Sequence, residues 1–238
     1  MSQLTISPIR LTTEEVFAII AQRKKMLRKT IKHKISYEAN DTSRKDLDAF
    51  GVLNKDGNYI EVEEGMPATL KDCDFCPSRK GTVLWVKEKF LPGNPALTDN
   101  NSMYWTFADG DQLFSSGEYA VSPVKAKSSN SWKAPNYLPV EAARIWLEVT
   151  DICVERLQDI SEEDAVREGV DFRNYMFSGL QCNTARDSFM TFWDSIKGLN
   201  AWEKNPWVWV VSFNVLSVTG KPKHITISKN EQVAINVN

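Results

Sequence analysis

The sequence predicts a mainly β protein with peripheral helices, an α+β arrangement around a small, mainly antiparallel barrel. One amphipathic helix comes early, strands follow, short helices come next, and a strand closes the pattern. Helices do not alternate regularly with strands, which argues against a parallel doubly wound sheet. The 238 residues, 42% apolar and 25% charged, have an ordinary globular balance and exclude a wholly disordered chain.

Taken in order, Leu4 to Ile9 reads as a short strand. Thr12 or Thr13 caps a helix with Glu14 and Glu15 in its first turn. Val16, Ile19 and Ile20 form its apolar face, and the helix is expected to run into Gln22–Lys25. A strand is expected at Lys29–Ser36. Residues 36–74 hold ten acids and four bases, broken by Gly51, Gly57, Gly65 and Pro67. They read as a loop-rich insertion with a short helix at Arg44–Phe50. Strands follow at Gly81–Phe90 and Ser102–Ala108, then a Ser-, Lys- and Pro-rich loop at 123–136. Arg144–Leu157 alternates as one long strand, or two with a bend near Asp151. Short helices start at Ser161 and span Asp187–Ile196. Pro206–Leu216 is the closing strand, and 218–238 is a tail with a weaker strand signal at His224–Ser228. The expected organisation is a single domain over 1–217, with insertions near 36–79 and 171–186, and a C-terminal tail over 218–238.

Composition narrows the chemistry. No apolar run approaches the roughly 20 residues that cross a bilayer, and the start MSQLTISPIR has no signal-peptide pattern, so a cytoplasmic protein is expected. With only His33 and His224, His-rich metal sites and most His-based triads are unfavoured. Cys73 and Cys76 form C-x-x-C, but Cys153 and Cys182 stand apart from each other and from that pair, so thiols are favoured over a zinc site. No metal and no cofactor is expected.

Three constellations carry candidate function. Residues 21–34 hold Arg23, Lys24, Lys25, Arg28, Lys29, Lys32 and Lys34 and no acid. A helix C-terminus accounts for the first three. Seven adjacent cations repel one another unless an anion is near, and a phosphate backbone is the obvious candidate. A solvated face is the competing reading. In residues 156–170, Ser161 and Asp164 make a capping box and Gly169 a helix stop. Glu168 sits in the last turn, where the helix dipole disfavours a carboxylate, a placement expected to suit a proton-transfer group. Of the eight tryptophans most are expected in the core, while Trp132, in a polar loop, is the candidate for an exposed ring that stacks a base.

The stretches CPSRKGTVLWVKEKF, WKAPNYLPVEAARIWLEVTDICVERLQDISEEDAVREGV and FWDSIKGLNAWEKNPWVWVVSF together resemble phage and prophage proteins of the ASCH family (activating signal cointegrator homology). The resemblance covers roughly 100 to 130 residues, about one domain. It implies a PUA-like β-barrel and, for a phage-encoded chain, the host cytoplasm. In the family the first helix ends in G-R-K-T-x-T-R-R. Lys24 matches the family lysine, but Leu27 stands where a threonine is expected, and Tyr137 stands where many phage relatives have a histidine. A bacterial ASCH enzyme, the N(4)-acetylcytidine amidohydrolase, uses that lysine, that threonine and a late glutamate, which Glu168 matches by position. The resemblance therefore carries over Lys24 and Glu168 without the hydroxyl. Arg23, Lys25 and Arg28 would lower the pKa of Lys24, and Glu168 would orient it or shuttle a proton.

The expected function is binding of RNA or a nucleotide-like ligand in a cleft between the first helix and the barrel. Arg23, Lys24, Arg28 and Lys29 would contact phosphate, Glu168 would face the ligand and Trp132 would stack. One alternative is an amidohydrolase acting on N-acylated cytidine-type nucleosides with Lys24 and Glu168 catalytic. Loss of an oxyanion-type partner such as the threonine costs on the order of 10²–10³ in rate. The other alternative is a protein-interaction module using the acidic 36–74 segment.

Overall fold

The computed structural model describes residues 4–37, 46–63, 66–73, 76–93, 103–120, 132–170 and 184–227. Its elements run β1 (Ile6–Arg10), α1 (Thr13–Ile20), β2 (Met26–Thr30), β3 (Ile35–Ser36), β4 (Gly51–Val52), β5 (Glu61–Glu63), β6 (Met66–Pro67) and β7 (Val83–Lys87). They continue with β8 (Phe90–Pro92), β9 (Tyr104–Phe107), β10 (Gln112–Phe114), β11 (Tyr119–Ala120), β12 (Trp146–Arg156), α2 (Glu162–Arg167), α3 (Ala185–Lys197) and β13 (Trp207–Ser217). The class is mainly β with a few helices, and among the described residues the strands form open sheets. No helix of the described residues is long and apolar enough to cross a membrane.

The chain folds as two compact units, each assembled from distant segments. Unit 1 takes 1–20, 81–148 and 214–238; unit 2 takes 21–80 and 149–213. In unit 1, β1 lies parallel to β7, and β7 pairs antiparallel with the first residues of β12. A second, antiparallel sheet runs β11–β10–β9–β8. Among the described residues two apolar clusters lie in this unit. One gathers Val83, Trp85, Val140, Ala143, Trp146 and Ile225, the other Phe90, Trp105, Phe107, Leu113, Leu138 and Ala142. In unit 2, β2 pairs antiparallel with β13. Its core joins Met26 of β2, Cys153 of β12, and Phe189, Phe192 and Trp193 of α3 with Trp202, Val208 and Val210. Burying these aromatic rings stabilises the unit, each side chain contributing about 1.5–3 kcal/mol relative to exposure.

Several expected elements appear with shifted limits. Thr12 caps α1 through a reciprocal pair: its Oγ1 accepts from the Glu15 N–H, and its own N–H donates to Glu15 Oε2. The helix stops at Ile20, however, and does not reach Lys25. Ala21 to Lys25 have good helix propensity, but Gln22 adopts a φ of 59° and the chain turns into β2. Backbone pairing with β13 overrides local preference, as tertiary context commonly does. The strand expected at Lys29–Ser36 is accordingly replaced by β2 and the short β3. Of the expected Arg144–Leu157, Trp146–Arg156 forms one continuous strand, β12, without a break at Asp151. The helix expected at Arg44–Phe50 is a single 3₁₀ turn, Leu47–Ala49, with Arg44 and Lys45 outside the described residues. Residues 224–227 form no strand, yet Ile225 is buried in the unit 1 core, so this part of the tail is structural. Of the insertion near 171–186, residues 171–183 lie outside the described residues.

Candidate functional site

The candidate site lies in unit 2 and starts from the cap of α2. Ser161 Oγ accepts from the Asp164 N–H at 3.0 Å, fixing the first turn. Gly169, with a φ of 81°, ends the helix in the left-handed conformation that a side chain disfavours. The residue between, Glu168, forms a β-bridge with Lys24. The neighbouring Lys25 N–H donates to the Arg167 carbonyl at 2.7 Å, so the backbones of the two segments are tied on both sides of the pair.

Lys24 Nζ then meets Glu168 Oε2 at 2.7 Å and the Glu168 carbonyl oxygen at 3.1 Å. Lys24 is 0% exposed and Glu168 3%. Arg28, the third residue of β2, donates to the other Glu168 oxygen at 2.9 Å through Nη1. Its Nε donates to Glu155 Oε1 of β12 at 2.9 Å, Nη2 contacts the same oxygen, and Nη2 reaches Asp164 Oδ2 at 3.2 Å. The Phe189 ring of α3 lies 5.8 Å from the guanidinium carbon. Arg167 Nη1 approaches Asp164 Oδ1 at 3.4 Å. Three cations, Lys24, Arg28 and Arg167, thus face three carboxylates, Glu155, Asp164 and Glu168. Burial works to lower the Arg28 pKa, but the Glu168 and Glu155 carboxylates outweigh it and hold the guanidinium above its ordinary value.

The structure brings Lys24, Arg28 and Glu168 together. Lys29 is set apart from Arg28 by the strand: successive residues of β2 face opposite sides, so Arg28 shares a face with Met26 and Lys29 does not. A helix would have placed them less than half a turn apart. Arg23 is exposed and donates to the Gly169 carbonyl oxygen. Trp132 belongs to unit 1, is half-buried and lies under the Lys89 ammonium, 5.6 Å from its ring centre. The charge excess of residues 21–34 is offset at Lys24 and Arg28 by carboxylates distant in sequence, a distribution the basic run alone does not reveal.

Three members of the network, Glu155, Asp164 and Arg167, were not among the sequence candidates. Asp164 reads as helix grammar. Glu155 carried a detectable signal: it falls on the same strand face as Cys153, an apolar inward position, where a carboxylate must find a partner. Cys73 and Cys76 are half-buried, and their Sγ atoms contact the Thr69 and Ser78 carbonyl oxygens. Burial pushes the Cys76 thiol pKa up. Among the described residues no group of three or more His, Cys, Asp or Glu is arranged to hold a metal. No family model matches the chain, and neither a curated protein nor a solved structure matches it.

The helix cap supports the whole arrangement, since α2 carries Asp164 and delivers Glu168. Ser161→Ala is expected to cost about 1 kcal/mol. That lowers the thermal midpoint by roughly 2–4 °C for a chain of this length, readable by calorimetry. An unchanged midpoint would show that the cap is replaced by water.

Proposed function

We propose that this chain is an ASCH-type module that binds RNA or a nucleotide-like ligand without hydrolysing it. The observation that carries the reading is the buried contact between Lys24 and Glu168, the two residues that the ASCH resemblance selects. The remaining geometry favours binding over catalysis. A lysine acting as base or nucleophile must shed its proton, whereas Lys24 is arranged as an ion pair. Leu27, 1% exposed, brings no hydroxyl. In this reading the ion-pair network is a rigid base. It holds the exposed Arg23 and Lys25, on either side of Lys24, for contact with phosphate.

The test is a titration of single-stranded RNA, followed by fluorescence anisotropy at several salt concentrations. Affinity should fall steeply with salt. Exchanging both exposed cations, Arg23→Ala with Lys25→Ala, should reduce the salt slope by about two, one per phosphate contact. A slope and affinity equal to those of the parent would exclude this site. Incubation with N(4)-acetylcytidine should release no cytidine. Release that disappears in Glu168→Gln would instead establish the amidohydrolase reading.

A further inference from the structure

A second group of cations, in unit 1, has a different character from the neutralised network. Arg10 at the end of β1 and Lys87 at the end of β7 are register partners in the parallel pair, so their side chains leave the same face of the sheet. Lys87 is 5% exposed. Its ammonium lies 5.0 Å from the Trp85 ring centre and donates to the Asn136 carbonyl oxygen at a long 3.4 Å. Three N–H donors are available on an ammonium, so this environment leaves most of its capacity unused. Lys133 bridges to Phe90, and the Lys89 ammonium sits over Trp132. This brings the 132–137 segment against the end of β7. Among the described residues none of Arg10, Lys87, Lys89 and Lys133 has a carboxylate partner. Glu88, next in sequence, turns to the opposite face and is taken by Arg144.

Burial and the nearby Arg10 both lower the Lys87 pKa. A buried ammonium beside a second cation is an unfavourable arrangement that an incoming anion relieves. Beside it, Tyr137 directly follows Asn136 and is 74% exposed, an aromatic ring open to solvent. Cations spaced along a surface with an exposed ring among them match a sugar–phosphate chain with an unpaired base.

We propose that unit 1 carries a surface of its own for single-stranded RNA, with Arg10, Lys87 and Lys89 contacting phosphates and the Tyr137 ring stacking a base. It shares the ligand class of the preceding reading but none of its residues, so the two fail separately.

The experiment uses the full chain and a fluorescein-labelled oligouridine of about twelve nucleotides, within the usual site size of such surfaces. Tyr137→Ala should weaken binding by at least about fivefold, as loss of one stacked base does. Lys89→Ala should reduce the salt slope by about one. Both positions are exposed, so folding is not at issue. Lys87→Met gives the discriminating readout: binding weakens while the thermal midpoint rises, because an uncompensated buried cation has been removed. A purely structural lysine would show a lower midpoint and unchanged binding, and that result overturns the proposal. Uridine monophosphate should compete only weakly; competition as strong as that of the oligonucleotide would reassign the surface to a free nucleotide. Binding lost in Arg23→Ala with Lys25→Ala but intact in the unit 1 variants would overturn this surface and leave the unit 2 site standing. The reverse pattern supports it.

Discussion

Glu168→Ala is expected to lower the thermal midpoint by roughly 6–20 °C, from a cost of about 3–5 kcal/mol and 2–4 °C per kcal/mol in a chain of this size. The cost arises because one carboxylate serves two buried cations. Its Oε2 holds Lys24 at 2.7 Å and its Oε1 holds Arg28 at 2.9 Å. Arg28 retains Glu155, but Lys24 keeps of this residue only the backbone carbonyl oxygen. Lys24→Met should cost much less, because Glu168 stays paired with Arg28 and the methionine replaces the lysine stem in an apolar setting. Adding Lys24→Met to Glu168→Ala should recover a substantial part of the loss, since replacing both partners of a buried pair is often near neutral. A double-mutant cycle measured by denaturant unfolding isolates the coupling. Additive effects would show that the two side chains do not act as a pair.

This asymmetry also separates structure from function at the site. If Lys24 and Glu168 only support Arg23 and Lys25, the Lys24→Met variant should unfold at nearly the parent temperature and still bind RNA. If they contact ligand directly, the same stable variant loses binding. Glu168→Ala alone cannot make that distinction, because instability and loss of a contact give the same loss of binding.

What the sequence makes legible follows physical range. Ser161, Gly169 and the long strand at Trp146–Arg156 were readable because capping, a positive φ and alternation depend on neighbours within a few positions. The pairing of Lys24 with Glu168 was reachable only through the family resemblance. The carboxylate partners of Arg28 lie 127, 136 and 140 positions away. No local rule distinguishes a cation that a distant carboxylate will neutralise from one that remains available, so residues 21–34 read as a continuous phosphate contact. The same limit hid the start of β2. Ala21 to Lys25 favour a helix by propensity, yet they turn and bridge to Glu168 at Lys24, leading into β2, whose partner β13 lies far along the chain. Division into two interleaved units was illegible for a related reason, because β12 and β13 each contribute to both and show no composition change at the crossing.

Arg144→Met is expected to produce the second large effect, about 3–5 kcal/mol near neutral pH, and one whose size depends on pH. Arg144 is 0% exposed. It grips Glu88 in a fork, Nε to Oε1 and Nη2 to Oε2, each 2.9 Å. Nη1 adds Asp109 at 2.7 Å and the Tyr119 hydroxyl at 3.1 Å, and the Phe107 ring lies 4.1 Å from the guanidinium carbon. Burial pushes the Glu88 pKa up, Arg144 pulls it back, and Asp109 and Asp111 push it up again. An acid whose folded pKa lies above its unfolded value binds its proton more tightly in the folded state. Stability therefore falls as pH rises from the usual glutamate value, about 4.3, toward the folded value. Removing Arg144 removes the downward pull and extends that window to higher pH. Arg144→Met should thus be most damaging at neutral and alkaline pH, with part of the deficit recovered as pH falls and Glu88 takes up a proton. Thermal melts of parent and variant across that range check the sign; a deficit that grows on acidification would overturn it. Adding Glu88→Gln should flatten the dependence, because the titrating group is gone. Arg144→Lys should rescue only partly, since a single ammonium cannot reproduce the two parallel bonds of the guanidinium. A pH-independent deficit in Arg144→Met would place the loss in the contacts with Phe107 and Tyr119 rather than in the buried charge of Glu88.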